Sequence, residues 1–183
     1  MSNVFPEPLS PAIPKISPLE IENDTEETSD WFPVFFSPHN SKKMYAFSNH
    51  VHVTENEGQS WEIISPDLTR NVPNKLKSSG GPITQDNTGV EYYCTLFAGG
   101  ESNIKNGLIW VGSDDGLIHI TKDGGESWEN ITPPNKLSPE LNMISSIDPS
   151  PFKKGKAYVA ATSYKFGDYT CLLYTSPSPR DRG

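Results

Sequence analysis

The sequence predicts an all-β chain built from repeated small antiparallel sheets. Three observations carry that expectation. Short runs of alternating apolar and polar residues are separated by turns rich in Gly, Asp and Pro, the period of strands rather than helices. An eight-residue turn pattern occurs twice, each time at the same place in a similar set of runs. The composition, with 17 Pro and 14 Gly in 183 residues and 34% hydrophobic residues, suits a turn-rich chain and disfavours a helical bundle.

Residues 1–30 carry Pro6, Pro8, Pro11, Pro14 and Pro18, then Glu20, Glu22, Asp24, Glu26, Glu27 and Asp30. Neither half has a usable apolar period, so an extended, solvated segment is expected. The first strand is expected over 31–37 (WFPVFFS), whose continuous apolar character suits an inner position. After the turn at 38–41, strands are expected over 44–48, 51–54 and 61–64, completing a first unit over 31–66. Residues 67–89 read as a long polar insertion. Trp61 to Tyr92 spans 31 positions, whereas the matching interval after Trp128 reaches Ile144 in 16. Long loops of this kind are usually functional or disordered.

The second unit, 90–134, is expected to hold strands over 92–98, 108–112, 117–121 and 128–131. The stretch 99–106 reads as a loop, and Ser113-Asp114-Asp115-Gly116 as a hairpin turn. A third unit over 135–170 begins near Met143 and continues with a strand over 156–163. Each unit is a sheet that cannot cover both of its faces alone. The last stretch, 171–183, is expected to be non-native, because 171–181 (CLLYTSPSPRD) resembles a translated sequencing-library adapter. Leaving out Arg180, Asp181 and Arg182 takes 15 basic and 23 acidic residues to 13 and 22, a net charge of −9 instead of −8.

The repeated turn has a physical logic. In Thr121-Lys122-Asp123-Gly124-Gly125-Glu126-Ser127-Trp128 the Asp123 carboxylate can accept backbone N–H groups. Gly125 is free to take positive φ, and Trp128 offers a large flat surface. Thr54-Glu55-Asn56-Glu57-Gly58-Gln59-Ser60-Trp61 repeats the pattern, with Asn56 keeping the acceptor oxygen and losing the charge. Val51-His52-Val53-Thr54 aligns with Ile118-His119-Ile120-Thr121, so Trp61 and Trp128 are expected in equivalent corners.

This pattern, [Ser/Thr]-x-Asp-x-Gly-x-x-Trp, resembles the Asp-box or BNR repeat of β-propellers. The segments ISPDLTRN (64–71), GGPITQDNTG (80–89) and WVGSDDG (110–116) are similar to the sortilin and xyloglucanase-like (glycosyl hydrolase-like) group. The resemblance covers about residues 31–169. It implies a β-propeller fragment of two four-stranded blades plus the start of a third, within a parent of seven or more blades. It also implies a secreted, periplasmic or luminal parent. The Asp-box is a folding device, so it does not by itself specify catalysis.

In propeller topology the 65–89 loop and the 113–116 and 162–168 turns share the face opposite the box turns. Ligand-face candidates are therefore Arg70, Asp86, Asn87, Ser113, Asp114 and Tyr164. Asp86, Glu91, Asp114 and Asp115 are weak catalytic candidates, because a glycosidase needs two carboxylates roughly 5 to 10 Å apart. The plainer reading makes Asp114-Asp115-Gly116 a hairpin turn and Asp86-Asn87 a loop turn. The leading functional expectation is a propeller domain that binds a glycan or a protein ligand. The alternatives are a xyloglucanase-like glycoside hydrolase with only part of its carboxylate pair here, and a structural scaffold.

Other classes have little support. The acidic balance argues against nucleic acid, and no apolar run reaches membrane-spanning length. No signal-peptide core opens the chain, and no phosphate-cradling loop or nucleophile elbow is present, so no cofactor is expected. His50 and His52 would make half a metal site, but His52 recurs as His119, which marks an outward-facing strand position; no metal is expected. Cys94 is expected as a buried strand thiol.

Overall fold

The computed structural model describes residues 34–77, 80–85, 93–133, 143–164 and 167–176. Its extended elements are eleven strands in three antiparallel sheets. In the first sheet β1 (Phe35–Phe36), β2 (Met44–Phe47), β3 (Val51–Thr54) and β4 (Glu62–Ile63) follow one another across the sheet. The second repeats that order with β5 (Leu96–Glu101), β6 (Ile109–Ser113), β7 (Ile118–Thr121) and β8 (Glu129–Asn130). The third holds β9 (Met143–Pro149), β10 (Ala157–Ser163) and β11 (Asp168–Ser176). Two complete meanders and a partial third agree with the expected fold class, although β11 runs on into the stretch expected to be non-native.

The register makes the repeat literal. Met44 pairs with Thr54 as Ile109 pairs with Thr121, so Tyr45 and Trp110 occupy one position and Val53 and Ile120 another. Side chains alternate across each strand, so Tyr45, Phe47, Val51 and Val53 present one face of the first sheet. They pack on Leu96, Ile109 and Val111 of the second sheet, with Leu68 added from the loop. The opposite face of the second sheet offers Ala98, Trp110, Ile118 and Ile120, which meet Ile144, Ile147, Ala157, Val159 and Ala161 of the third. The second sheet is thus covered on both sides, which is why every residue of β6 is buried. Each such Val, Leu or Ile contributes roughly 1.5–3 kcal/mol on leaving water.

Two glycines let the sheets approach. A Cβ on Gly99 would stand 2.4 Å from Phe47 Cζ, and one on Gly112 would stand 2.3 Å from Ile144 Cγ2. Neither position tolerates even a methyl group without movement of the neighbouring sheet.

Several expected boundaries shift. The strand expected over 92–98 begins only at Leu96, because Cys94 sits at φ 68°, where strand geometry cannot continue. Gly99 and Gly100, expected in a loop, extend β5 to Glu101, whose Oε1 accepts the Gly107 N–H at 2.7 Å and closes the turn. The first strand shrinks to Phe35–Phe36, with 31–33 outside the described residues. The fourth strands shorten because Trp61 and Trp128 lie outside their ladders. Strand β11 runs past Thr170, pairing Cys171 with Thr162 and Ser176 with Ala157.

Candidate functional site

The two eight-residue turns share one hydrogen-bond layout. Thr54 Oγ1 accepts the Gly58 N–H at 3.1 Å and donates to Asn56 Oδ1 at 2.8 Å. Thr121 Oγ1 accepts from Gly125 at 2.9 Å and donates to Asp123 Oδ1 at 2.7 Å. Asn56 Oδ1 and Asp123 Oδ1 each accept a serine N–H, from Ser60 and Ser127, at 3.0 Å. Only the last link differs, as the chemistry requires: the Asn56 amide donates to Ser60 Oγ, whereas the Ser127 hydroxyl donates to the Asp123 carboxylate. These bonds from Ser127 and Thr121 hold the Asp123 carboxyl well below its ordinary range.

The two indoles do not share one setting. Trp128 Nε1 donates to Ile64 O of the first sheet at 2.8 Å, while Gly125 lies against Ile64, its Cβ position 2.7 Å from that oxygen. Trp61 instead folds over its own Gly58, 3.7 Å from the Cβ position there, and its Nε1 is buried without a partner. The cause is neighbourhood. Trp128 has a preceding sheet to dock on, and no described sheet precedes Trp61.

At the opposite end of the strands the 113–116 turn meets the loop that leaves β4. Asp115 is fully buried and its Oδ2 accepts the Arg70 N–H at 2.7 Å, while Arg70 Nε donates to Asp115 O at 3.0 Å. The Ser113 hydroxyl donates to Asp115 Oδ1 and accepts the Leu117 N–H at 2.9 Å. Asp114, 6% exposed, accepts the Thr95 N–H at 2.9 Å and returns its own N–H to Thr95 O. Asp67 caps the same loop, accepting from the Thr69 N–H at 2.9 Å and from Asn49 Nδ2 at 3.2 Å.

Of the expected site residues, Arg70, Ser113, Asp114 and Asp115 come together here. Asp86, Asn87 and Glu91 lie outside the described residues. Tyr164, 50% exposed, stands on the 163–168 turn, the equivalent connection in the third sheet. Ser113 and Asp115 are spent on the turn and the loop. Asp114 and Tyr164 are the described candidates that keep contact with solvent, together with the exposed Arg70.

Two participants escaped the sequence reading. Leu68, 2% exposed, plugs the loop into the core, and it is the only aliphatic residue in SPDLTRN, which is a usable signal. Tyr93 lies beneath Lys75 Nζ, 4.8 Å from the ring centroid, and burial with the nearby Asp115 and Asp114 charges raises its hydroxyl pKa. Cys94 is buried as expected, and desolvation pushes its thiol up to about 11, so it is not a nucleophile at neutral pH. Among the histidines, His52 Nε2 lies 2.8 Å from Ser48 Oγ and His50 Nδ1 lies 3.1 Å from Ser65 O. His119 keeps a buried Nδ1 without a partner. Burial lowers the pKa of both His52 and His119.

No protein-family profile matches the chain, and no curated protein matches it in sequence. Solved structures do. The GH74 xyloglucanase from Xanthomonas campestris is similar over 78% of this chain and 20% of its own, with a TM-score of 0.52 and 13% identity. An ancestral GH74 enzyme is similar over 81% of this chain and 18% of its own, with a TM-score of 0.50 and 18% identity. The chain thus spans about a fifth of the length of the two glycoside hydrolases it matches. At this identity the likeness shows the fold alone, and the fold of this chain is that of successive β-propeller blades.

Proposed function

We propose that this chain is part of a propeller domain that binds a glycan or protein ligand on the face carrying the 113–116 turn. The observation behind it is the Arg70–Asp115 clasp, in which two hydrogen bonds pull the long connecting loop onto the second blade. Loops carried on a rigid propeller scaffold are the usual seat of recognition. The common layout of the two turns supports reading them as Asp-box repeats. The family resemblance favours an exported parent, which fractionation of the producing cells tests.

The glycoside hydrolase reading has its own support in the two GH74 structures. Of its candidate carboxylates, Asp114 is the described one that keeps a small opening to solvent, whereas Asp115 is fully buried. One experiment separates the readings: retention of the protein on immobilised xyloglucan and other polysaccharides, with reducing-end release measured in parallel. Binding without cleavage, weakened about tenfold by Tyr164→Ala, is expected. Cleavage abolished by Asp114→Asn would establish the hydrolase instead. Binding unaffected by both Tyr164→Ala and Arg70→Ala would remove this face from the account.

A further inference from the structure

On the other end of the strands, a groove of about 850 Å³ runs between the 54–61 turn with β4 and the 124–126 turn of the second blade. Its size falls within the roughly 300–1,000 Å³ of ligand clefts. Glu55, Glu62 and Glu126 line it, and among the described residues its only lining cation, Lys43, lies 3.7 Å from Glu55. Its apolar wall includes Trp61 and Ile63, the latter 45% exposed. Along the wall runs β4, an edge strand with no neighbour on its outer side among the described residues.

We propose that this groove binds an extended, cationic peptide segment. Three carboxylates against one already paired ammonium select a basic partner, and an indole beside them favours Lys or Arg heads. An open strand edge selects an extended backbone, which adds to it by main-chain hydrogen bonds. Residues 20–30 of this chain do not fit, because their six carboxylates would face the groove's own. The groove shares no lining residue with the Arg70–Asp115 clasp, so it stands or falls independently of the ligand reading above.

The probe is a fluorescein-labelled, capped octapeptide of alternating lysine and valine, followed by fluorescence anisotropy. Saturable binding that weakens with added salt is expected. The exposed pair Glu62→Gln with Glu126→Gln should bind about tenfold more weakly. Glu129→Gln, which removes an exposed carboxylate outside the groove, should bind as the parent does. Three results would overturn the proposal: unchanged affinity in the double variant, an equal loss in Glu129→Gln, or equal binding of a glutamate–valine peptide. Sedimentation provides the fourth. A concentration-dependent dimer abolished by Lys153→Glu with Lys154→Glu would mean that the basic turn after Phe152 of a second copy fills the groove instead.

Discussion

Gly112→Ala tests the central packing claim, that the third blade sits directly on the backbone of β6. The added methyl would stand 2.3 Å from Ile144 Cγ2, 2.7 Å from Ile144 Cβ and 3.1 Å from Ile147 Cδ1. Carbon contacts are comfortable at roughly 3.5–4.0 Å, so β9 must retreat by about 1 Å or more. Ile144 is fully buried and pairs with Ala161 in the ladder, so it cannot swing away alone. Overpacking of this kind costs about 1–3 kcal/mol. Replacing glycine in a strand recovers about 0.5–1 kcal/mol of chain entropy, because no left-handed φ is needed there. The net expectation is a loss of about 1–2 kcal/mol, read as a lower urea midpoint with unchanged slope. Ile144→Ala alone should cost about 2–5 kcal/mol through its cavity. When the two are combined, the methyl added at position 112 occupies the vacated space, and the losses should fall short of additivity by about 1–3 kcal/mol. Additive losses, or an unchanged midpoint for Gly112→Ala, would refute the stacking of these two sheets.

Other outcomes follow from the same structure. Trp128→Phe should cost about 1–2 kcal/mol in urea unfolding through the lost bond to Ile64 O, and Trp61→Phe clearly less, since its buried N–H has no partner to lose. Equal losses would mean that the two corners are energetically alike. Asp115→Ala strips an acceptor from the Arg70 N–H and the Ser113 hydroxyl at a fully buried site, an expected loss of about 3 kcal/mol. Trypsin should then cut after Arg70 faster, and an unchanged cutting rate would argue against the clasp. Burial first, then the neighbouring His50, lowers the His52 pKa from 6.5 to about 4. The unfolded chain therefore binds its proton first, and stability should be full above pH 6.5 and fall as pH drops toward 4. His52→Gln should flatten that window. Asp123 adds a later step: its carboxyl, held low by Ser127 and Thr121, stabilises above 3.8 and loses its effect as pH falls further. Asp123→Asn should erase that step in an acid titration of unfolding.

The fold was readable because each of its devices is local. Strand β3 lies where Val51-His52-Val53-Thr54 places it, and β7 differs from its expected span only by losing Leu117. Alternation sets the faces of a sheet and turn residues set its ends, so both can be found within a few positions. Boundaries failed where a distant contact decided them. Nothing near Cys94 in sequence announces a positive φ, and nothing in GGESNIKNG says that Gly99 must lie under Phe47. An all-purpose loop residue became a packing surface because another sheet approaches it.

The candidate site shows the same division more sharply. Asp114-Asp115-Gly116 reads equally well as a hairpin turn and as a pair of carboxylates, and sequence spacing cannot separate the two. Burial separates them at one position. A carboxylate that offers its lone pairs to Arg70 and Ser113 stabilises the loop's attachment and has little left for a sugar, whereas Asp114 retains a small opening to solvent. The proposed binding face is therefore built on Asp115 rather than made of it. The same logic sets the two tryptophans apart. The two turns share a hydrogen-bond layout, yet Trp61 lies over its own Gly58 while Trp128 bonds Ile64 O, because an indole's partner comes from the sheet before it, and that neighbour lies beyond the reach of any eight-residue pattern. Repeats fix the scaffold of such a protein from within each unit; the face proposed for recognition depends on what the units lend one another.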